Sequence, residues 1–208
     1  MNEIAEILEH AVIEDVTGVI LAGGLSSRMG GGNKALLKVD GIPIITRVYK
    51  TLARLFRDVL IVTNSPHDYD FLPCRKVADI YPGYGSIAGL HSALAHSSTA
   101  FSFITACDMP FLDTAIIRTL CDLRSKEYDA VAPFVNGAWE PLHAVYSSAC
   151  KDVFEHAIEQ GERKIQDILD RMKIRRVTYE ELQRLGGQTT SFLNVNTPQE
   201  YEVIRKIR

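Results

Sequence analysis

Short apolar runs, rich in β-branched residues and each cut off by a turn former or a carboxylate, restrict this chain most. Residues 16–22 (VTGVILA) stop at Gly23-Gly24, residues 58–63 (DVLIVT) at Asn64, and residues 100–107 (AFSFITAC) at Asp108-Met109-Pro110. Runs of that length with such ends read as buried strands. Stretches with helical spacing fall between them, at 44–56, 86–96 and 114–124. Alternation of this kind predicts an α/β fold of three layers, a mostly parallel sheet with helices on both faces. Shorter strands are predicted at 76–79, 129–134, 143–146, 174–178 and 192–195. Helices are predicted at 148–159 and 164–172, with a last one from Pro198. Open sheets of this kind bind ligands at the carboxyl ends of their strands. The loops after Ala22, Thr63, Asp79 and Cys107 should therefore converge on one edge.

Size and charge narrow the rest. The chain has 208 residues, enough for one domain with a sizeable core. We expect that domain to span 16–208, behind an amphipathic helical arm over 1–15 that sets Ile4, Ile7, Leu8, Ala11 and Val12 at helical spacing. The formal net charge is -3, whereas chains that grip nucleic acid are usually basic. A nucleic-acid partner is therefore not expected, and a bound anion must be met by locally placed cations. The four cysteines, Cys74, Cys107, Cys121 and Cys150, form no C-x-x-C pair, so neither a zinc ribbon nor a redox motif is expected. Reduced thiols in a cytoplasmic protein are the expectation. No apolar run approaches the length of a membrane span, and the acidic first residues do not resemble a signal peptide.

Such cations stand in the loop after the first strand. Leu21-Ala22-Gly23-Gly24-Leu25-Ser26-Ser27-Arg28-Met29-Gly30-Gly31-Gly32-Asn33-Lys34 holds five glycines and two cations in 14 residues. Glycine lets the backbone turn sharply and approach a ligand, and successive free N–H groups can cradle an anion. Arg28 offers phosphate a planar fork and Lys34 a point charge. A Walker A loop would need G-K-[S/T], and Asn33-Lys34-Ala35 lacks it. The G-x-G-x-x-G dinucleotide fingerprint also fails to fit. The alternative reading is a flexible surface loop with incidental charges, and the position directly after the first strand argues against it.

Two aspartates follow strands on the same expected edge. Asp108 ends an apolar run, while Asp113 or Thr114 is better placed to cap the next helix. A carboxylate at such a strand end suits Mg²⁺ that phosphates already hold. Asp79 precedes a turn-rich stretch, Ile80-Tyr81-Pro82-Gly83-Tyr84-Gly85, and could meet a base, a ribose or a metal-bound water. Either residue alone could instead simply form a turn.

Taken together, these residues resemble the molybdenum cofactor guanylyltransferase family, nucleotidyltransferases with a Rossmann-like three-layer fold and a mostly parallel sheet. Gly23 to Lys34 carry the signature LAGG-x-S-x-RMGGG-x-K. Gly85-Ser86-Ile87-Ala88-Gly89-Leu90 is similar to the family's G-P-L-A-G, with Ser86 in place of proline, and Cys107-Asp108-Met109-Pro110 matches its C-D-x-P. Pro141-Leu142-His143-Ala144, Gly161-Glu162-Arg163-Lys164 and Asn194-Val195-Asn196-Thr197-Pro198 resemble later landmarks. The likeness runs from about Val16 onward and omits the arm.

The resemblance implies transfer of GMP from GTP to the terminal phosphate of molybdopterin, giving the guanine dinucleotide cofactor and pyrophosphate. It implies that Leu21, Ala22, Gly23 and Gly24 contact the nucleotide, that Lys34 and Arg28 bind its phosphates, that Asp79 lies in the nucleotide site, that Asp108 holds Mg²⁺, and that Asn194 and Asn196 bind the pterin. If 192–195 is a strand, those two amides share a face. A phosphate near Arg163-Lys164 would explain two cations at a helix start. Family members often have a polar contact at the end of the second strand. Val62 stands there and Asn64 lies two residues on, so that contact stays open. Molybdoenzymes or other cofactor-biosynthesis proteins are the partners implied, with no membrane.

Three other readings compete. One is a cytidylyltransferase for the same cofactor, whose members tend to show LAAG where Leu21-Ala22-Gly23-Gly24 stands here. Another is a transferase that activates a sugar or other phosphorylated metabolite. The third is a nucleotide-binding module that delivers cofactor without catalysis. His91 and His96, five apart on one helix, make poor metal partners. Cys107 reads as a small buried hydrophobe, the cations of 171–176 as a solvated face, and Trp139 as either a stacking platform or core cover.

Overall fold

The structure, a computed structural model, describes residues 11–23 and 33–207. Strand β1 (Val16–Leu21) leads through a 3-10 turn at Lys34–Leu36 into a hairpin, β2 (Lys38–Val39) and β3 (Ile42–Pro43). Asp40 and Gly41 turn that hairpin with φ of 51° and 77°, as a two-residue connection with right-handed strand twist requires. Helix α1 (Ile44–Leu55), β4 (Val59–Val62) and β5 (Arg75–Val77) follow. Next come α2 (Ser86–His96), β6 (Phe101–Ala106), α3 (Thr114–Asp122), β7 (Ala130–Val135), β8 (Ala138–Trp139) and β9 (His143–Ser147). Helices α4 (Cys150–Glu159) and α5 (Ile165–Leu169), β10 (Ile174–Thr178), α6 (Tyr179–Arg184) and α7 (Pro198–Ile204) close the chain.

One sheet runs β10-β7-β9-β6-β1-β4-β5, with β8 added beside β7. Strand β1 is parallel to β4 and β6, and β4 to β5. Strand β9 runs antiparallel between β6 and β7, and β10 is parallel to β7. The register pairs Leu21 with Val62 and with Ala106. Three strands thus end level, and the loops after them open on one edge, as the alternation predicted.

Side chains that alternate along β1 supply two cores. Val16 and Ile20 face Ile44, Ile45, Val48, Leu52 and Leu55 of α1 and Ile116 of α3. Val19 faces the other layer, with Ile87 and Leu90 of α2 and Phe154 of α4. At Gly18 the Phe56 ring packs directly on the strand: an added Cβ would lie 2.6 Å from its Cδ2.

Two expectations fail here. Residues 192–195 are not a strand: a 3-10 turn at Thr189–Phe192 gives way to unpaired extended chain. The Val195 N–H goes instead to the Asp108 carbonyl at 3.0 Å, so no neighbouring strand is met. The helix expected over 164–172 shortens to Ile165–Leu169. Helix α6 and the β2–β3 hairpin were not anticipated. Of the expected arm, residues 1–10 lie outside the described residues. Ile13 bridges in parallel to Phe56, with its N–H on the Leu55 carbonyl at 2.7 Å.

Candidate active site

The level strand ends enclose a cavity of about 240 Å³. Leu21 from β1, Val62 from β4, Ala106 from β6 and Leu142 give it an apolar side. Gly85, Ser86 and Gly89 bring the start of α2 to it, and Gly23, Asp79, Cys107 and Asp108 complete the lining. Gly85 adopts φ 62° and puts no side-chain cap on α2, leaving that end of the helix to a ligand or solvent. Gly89 has a steric reason to lack a side chain, since a Cβ there would come 3.0 Å from Leu21 Cδ1.

Asp79 is gripped from the end of β4. The Asn64 side chain donates to Asp79 Oδ2 at 2.9 Å and accepts the Asp79 backbone N–H at 3.0 Å. Burial pushes the Asp79 carboxyl above its ordinary range, and the Asn64 donor works against that shift. Gly23 passes close by: its Cβ position is 3.5 Å from Asp79 Oδ2. At the end of the second strand it is Asn64, directly after Thr63, that offers a polar side chain, and it bonds to Asp79. Its type and place, a turn former directly after a strand, were the available signal.

Lys34 comes near enough to Asp108 for its charge to act on that carboxyl. Asn33 caps the 3-10 turn, its Oδ1 accepting the Ala35 N–H at 3.1 Å while its Nδ2 donates to the Tyr69 hydroxyl at 3.0 Å. Lys34 leaves that fixed point, and its Nζ donates to Asn196 Oδ1 at 3.3 Å. Burial pushes the Asp108 carboxyl up, the Lys34 charge opposes this, and Glu200 adds to the rise. Asn196 is held by its own helix: its N–H and that of Thr197 donate to Glu200 Oε2 at 2.7 and 2.8 Å, within a capping box. Val195 on the Asp108 carbonyl completes the attachment.

The expected site residues therefore divide. Leu21, Gly23, Asp79 and Asp108 share one cavity, and Lys34 and Asn196 bond to each other near Asp108, outside its lining. Ala22 extends the β1–β4 pairing through its N–H, 2.8 Å from the Val62 carbonyl. Asn194 is exposed and Asn196 half-buried, and the strand on which a shared face was expected is absent. Gly24 and Arg28 lie outside the described residues. Among the described residues, no group of three or more His, Cys, Asp or Glu is arranged to hold a metal alone.

Several residues set aside in the sequence find their places. Cys107 lines the cavity, and burial pushes its thiol far up, which suits packing rather than nucleophilic attack. His91 is buried against the Tyr81 ring. Trp139 packs edge-on to Phe134 with its indole N–H on Asp170 at 2.8 Å. Of the 171–176 cations, Arg171 pairs with Glu162 and Arg175 with Glu181, and Arg176 covers the Phe134 ring. They are more engaged than a solvated face.

A mostly parallel sheet with level strand ends, a lysine following the first strand's loop and an aspartate ending the central neighbour define a Rossmann-like nucleotidyltransferase. The chain belongs to the MobA-like NTP transferase domain family, which matches residues 18–177. It is 37% identical over 190 residues to a molybdenum cofactor guanylyltransferase of Desulfosudis oleivorans, covering 91% of this chain and 94% of that one. It is 35% identical to a probable molybdenum cofactor guanylyltransferase of Carboxydothermus hydrogenoformans, covering 94% and 98%. The solved molybdopterin-guanine dinucleotide biosynthesis protein A from Archaeoglobus fulgidus superposes with a TM-score of 0.80 at 28% identity, covering 92% of this chain and 97% of that one.

Proposed function

We propose that residues 16–208 transfer GMP from GTP to the terminal phosphate of molybdopterin, forming the guanine dinucleotide cofactor. The carrying observation is that Asp79 and Asp108 line one cavity, and that Lys34 and Asn196, far apart in sequence, bond to each other near Asp108. The names and coverage of the relatives support the same reading.

A terminal phosphate oxygen of the acceptor attacks the α-phosphorus of GTP. A new P–O bond forms, the α–β bridging P–O bond breaks, and pyrophosphate carries away the electron pair. Positioning and charge stabilisation suffice for such a transfer, without a covalent enzyme intermediate. Backbone of Leu21 to Gly23 and the α2 terminus receive the nucleotide. Asp79, oriented by Asn64, faces its nucleoside part. Lys34 neutralises charge on the triphosphate together with Arg28, and Gly24 belongs to the loop that contacts the nucleotide. Asn196, already bonded to Lys34, would present its amide to the acceptor.

Asp108 is the residue that would hold a divalent ion. Its half-buried carboxylate fits one arriving on a triphosphate, since Mg²⁺ is usually bound by one or two carboxylates plus substrate phosphates. Such an ion supplies Lewis-acid polarisation of a phosphoryl oxygen.

Among the described residues no helix is long and apolar enough to cross a membrane, and we assign the reaction to the cytoplasm. The test is pyrophosphate release with GTP or CTP, with and without molybdopterin. Release with GTP only when molybdopterin is present supports the proposal. Release with CTP alone makes the chain a cytidylyltransferase, and nucleotide binding without release makes it a delivery module.

A further inference from the structure

The loop between Asp79 and Gly85 forms part of the cavity wall at both ends. Its first half is tied inward. The Ile80 N–H donates to Ser92 Oγ on α2 at 2.8 Å, and the Tyr81 hydroxyl to Glu155 Oε1 on α4 at 2.7 Å. Its tip, Pro82-Gly83, is exposed. Gly83 and Gly85 adopt φ of 93° and 62°, conformations that side chains disfavour and that little local packing enforces. What holds the tip is Arg163, which lies 80 residues on, between α4 and α5. Its Nη1 donates to the Gly83 carbonyl at 2.8 Å, and its guanidinium lies over the Tyr84 ring, 4.9 Å from the centroid. Among the described residues no other side chain bonds to Gly83.

We infer that Arg163 is a positioning residue for the purine nucleotide: by fastening Gly83 and Tyr84 it sets the spacing between Asp79 and the start of α2. This rests on the nucleotide reading of the cavity and deepens it. It also gives the arginine a different task from gripping an acceptor phosphate. A planar fork suits that task, since one N–H can serve a carbonyl while the face covers an aromatic ring. If the tip is released, Asp79 and Gly85 lose their fixed separation, and the ordering must be restored when the base enters.

The experiment is calorimetric binding of GTP with Mg²⁺, in the absence of acceptor, to the wild-type chain and to Arg163→Ala, Arg163→Lys and Tyr84→Leu. Hydrogen exchange over 80–85 is followed in parallel. Loss of one charged hydrogen bond and one exposed cation–π contact predicts binding about tenfold weaker for Arg163→Ala. Tyr84→Leu should weaken it in the same direction, Arg163→Lys should recover only part of the loss because a lysine cannot serve the carbonyl and cover the ring at once, and exchange over 80–85 should speed up in Arg163→Ala. In turnover the change should fall on KM for GTP more than on kcat. Wild-type GTP affinity in Arg163→Ala, with only acceptor-dependent turnover lost, would overturn the inference. So would weakened binding in Arg163→Ala with unchanged loop exchange and an unaffected Tyr84→Leu, because the arginine would then touch the ligand directly. If the wild-type chain itself binds no GTP, the nucleotide reading fails first, which separates the two failures.

Discussion

Replacing Lys34 by methionine tests the site through two readouts at once. The side chain keeps its length but loses its charge, so the triphosphate loses one preorganised cation. Removing a single donor of this kind commonly costs on the order of 3 kcal/mol in the barrier, or about a hundredfold in rate. The second effect follows from Asp108. Burial already pushes its carboxyl up, and the Lys34 charge is the leading influence holding it down. Without that charge the carboxyl titrates at higher pH, and the ionised form needed to hold a divalent ion is lost sooner on acidification. Asp79 is also pushed up by burial, but Lys34 is not among the influences on it, so the shift belongs to Asp108. The assay is pyrophosphate release against pH for both proteins at saturating Mg²⁺. We expect turnover near the optimum to fall about a hundredfold, with the acid limb of kcat/KM moved upward in pH. A variant whose acid limb coincides with wild type would refute the coupling, and wild-type turnover would remove Lys34 from the phosphate site.

Asp108→Asn should lose activity while gaining thermal stability at neutral pH. A buried carboxyl with a raised pKa destabilises the fold when ionised, and its favourable contribution is present at low pH and lost as pH rises through its folded value. The Tm difference between variant and wild type should therefore shrink on acidification, and a variant less stable at neutral pH would contradict the assignment of burial as the cause. Gly18→Ala should destabilise by about 1–3 kcal/mol, as expected when a methyl is forced into a packed core. The obstacle is the Phe56 ring, 2% exposed and stacked on Phe103 at 5.9 Å, so it has little room to withdraw. Urea unfolding that gives an unchanged midpoint would show that the ring moves freely.

The central layers were legible because their signals are local. A run such as residues 58–63 can only be a buried strand if helices cover it, and the spacing of Ile44, Ile45, Val48, Leu52 and Leu55 supplies one covering face. The hairpin at 38–43 was also locally encoded, by Asp40-Gly41, but its strands are two residues each and too short to show alternation. Helix α6 announced itself only through Thr178, whose hydroxyl accepts the Glu181 N–H at 3.3 Å. Residues 192–195 went the other way. Phe192, Leu193 and Val195 look like a strand in composition, yet strand state needs a neighbour. The Val195 donor is taken by the carbonyl of Asp108, 87 positions earlier by subtraction of their residue numbers.

The site divides along the same line. Asp79 and Asp108 could be found because a carboxylate directly after an apolar run is visible within a few residues. Their partners could not. Lys34 and Asn196 are 162 residues apart, and Arg163 reaches Gly83 across 80. Spacing along the chain carries no information about such pairs unless a family pattern is already in hand. Their placement nevertheless has a cause in the fold. Strands β1 and β6 lie side by side, so the chain leaving each must emerge at the same edge. The Asp108 carbonyl accepts the N–H of Val195 from the returning C-terminal chain at 3.0 Å. That one bond sets Asn196 beside Lys34, and the capping box of Thr197 and Glu200 then prevents it from swinging away. The side of the cleft that we propose for the acceptor is thus built by a helix cap rather than by the sheet, and it should respond to damage at α7 even though no residue of that helix lines the cavity.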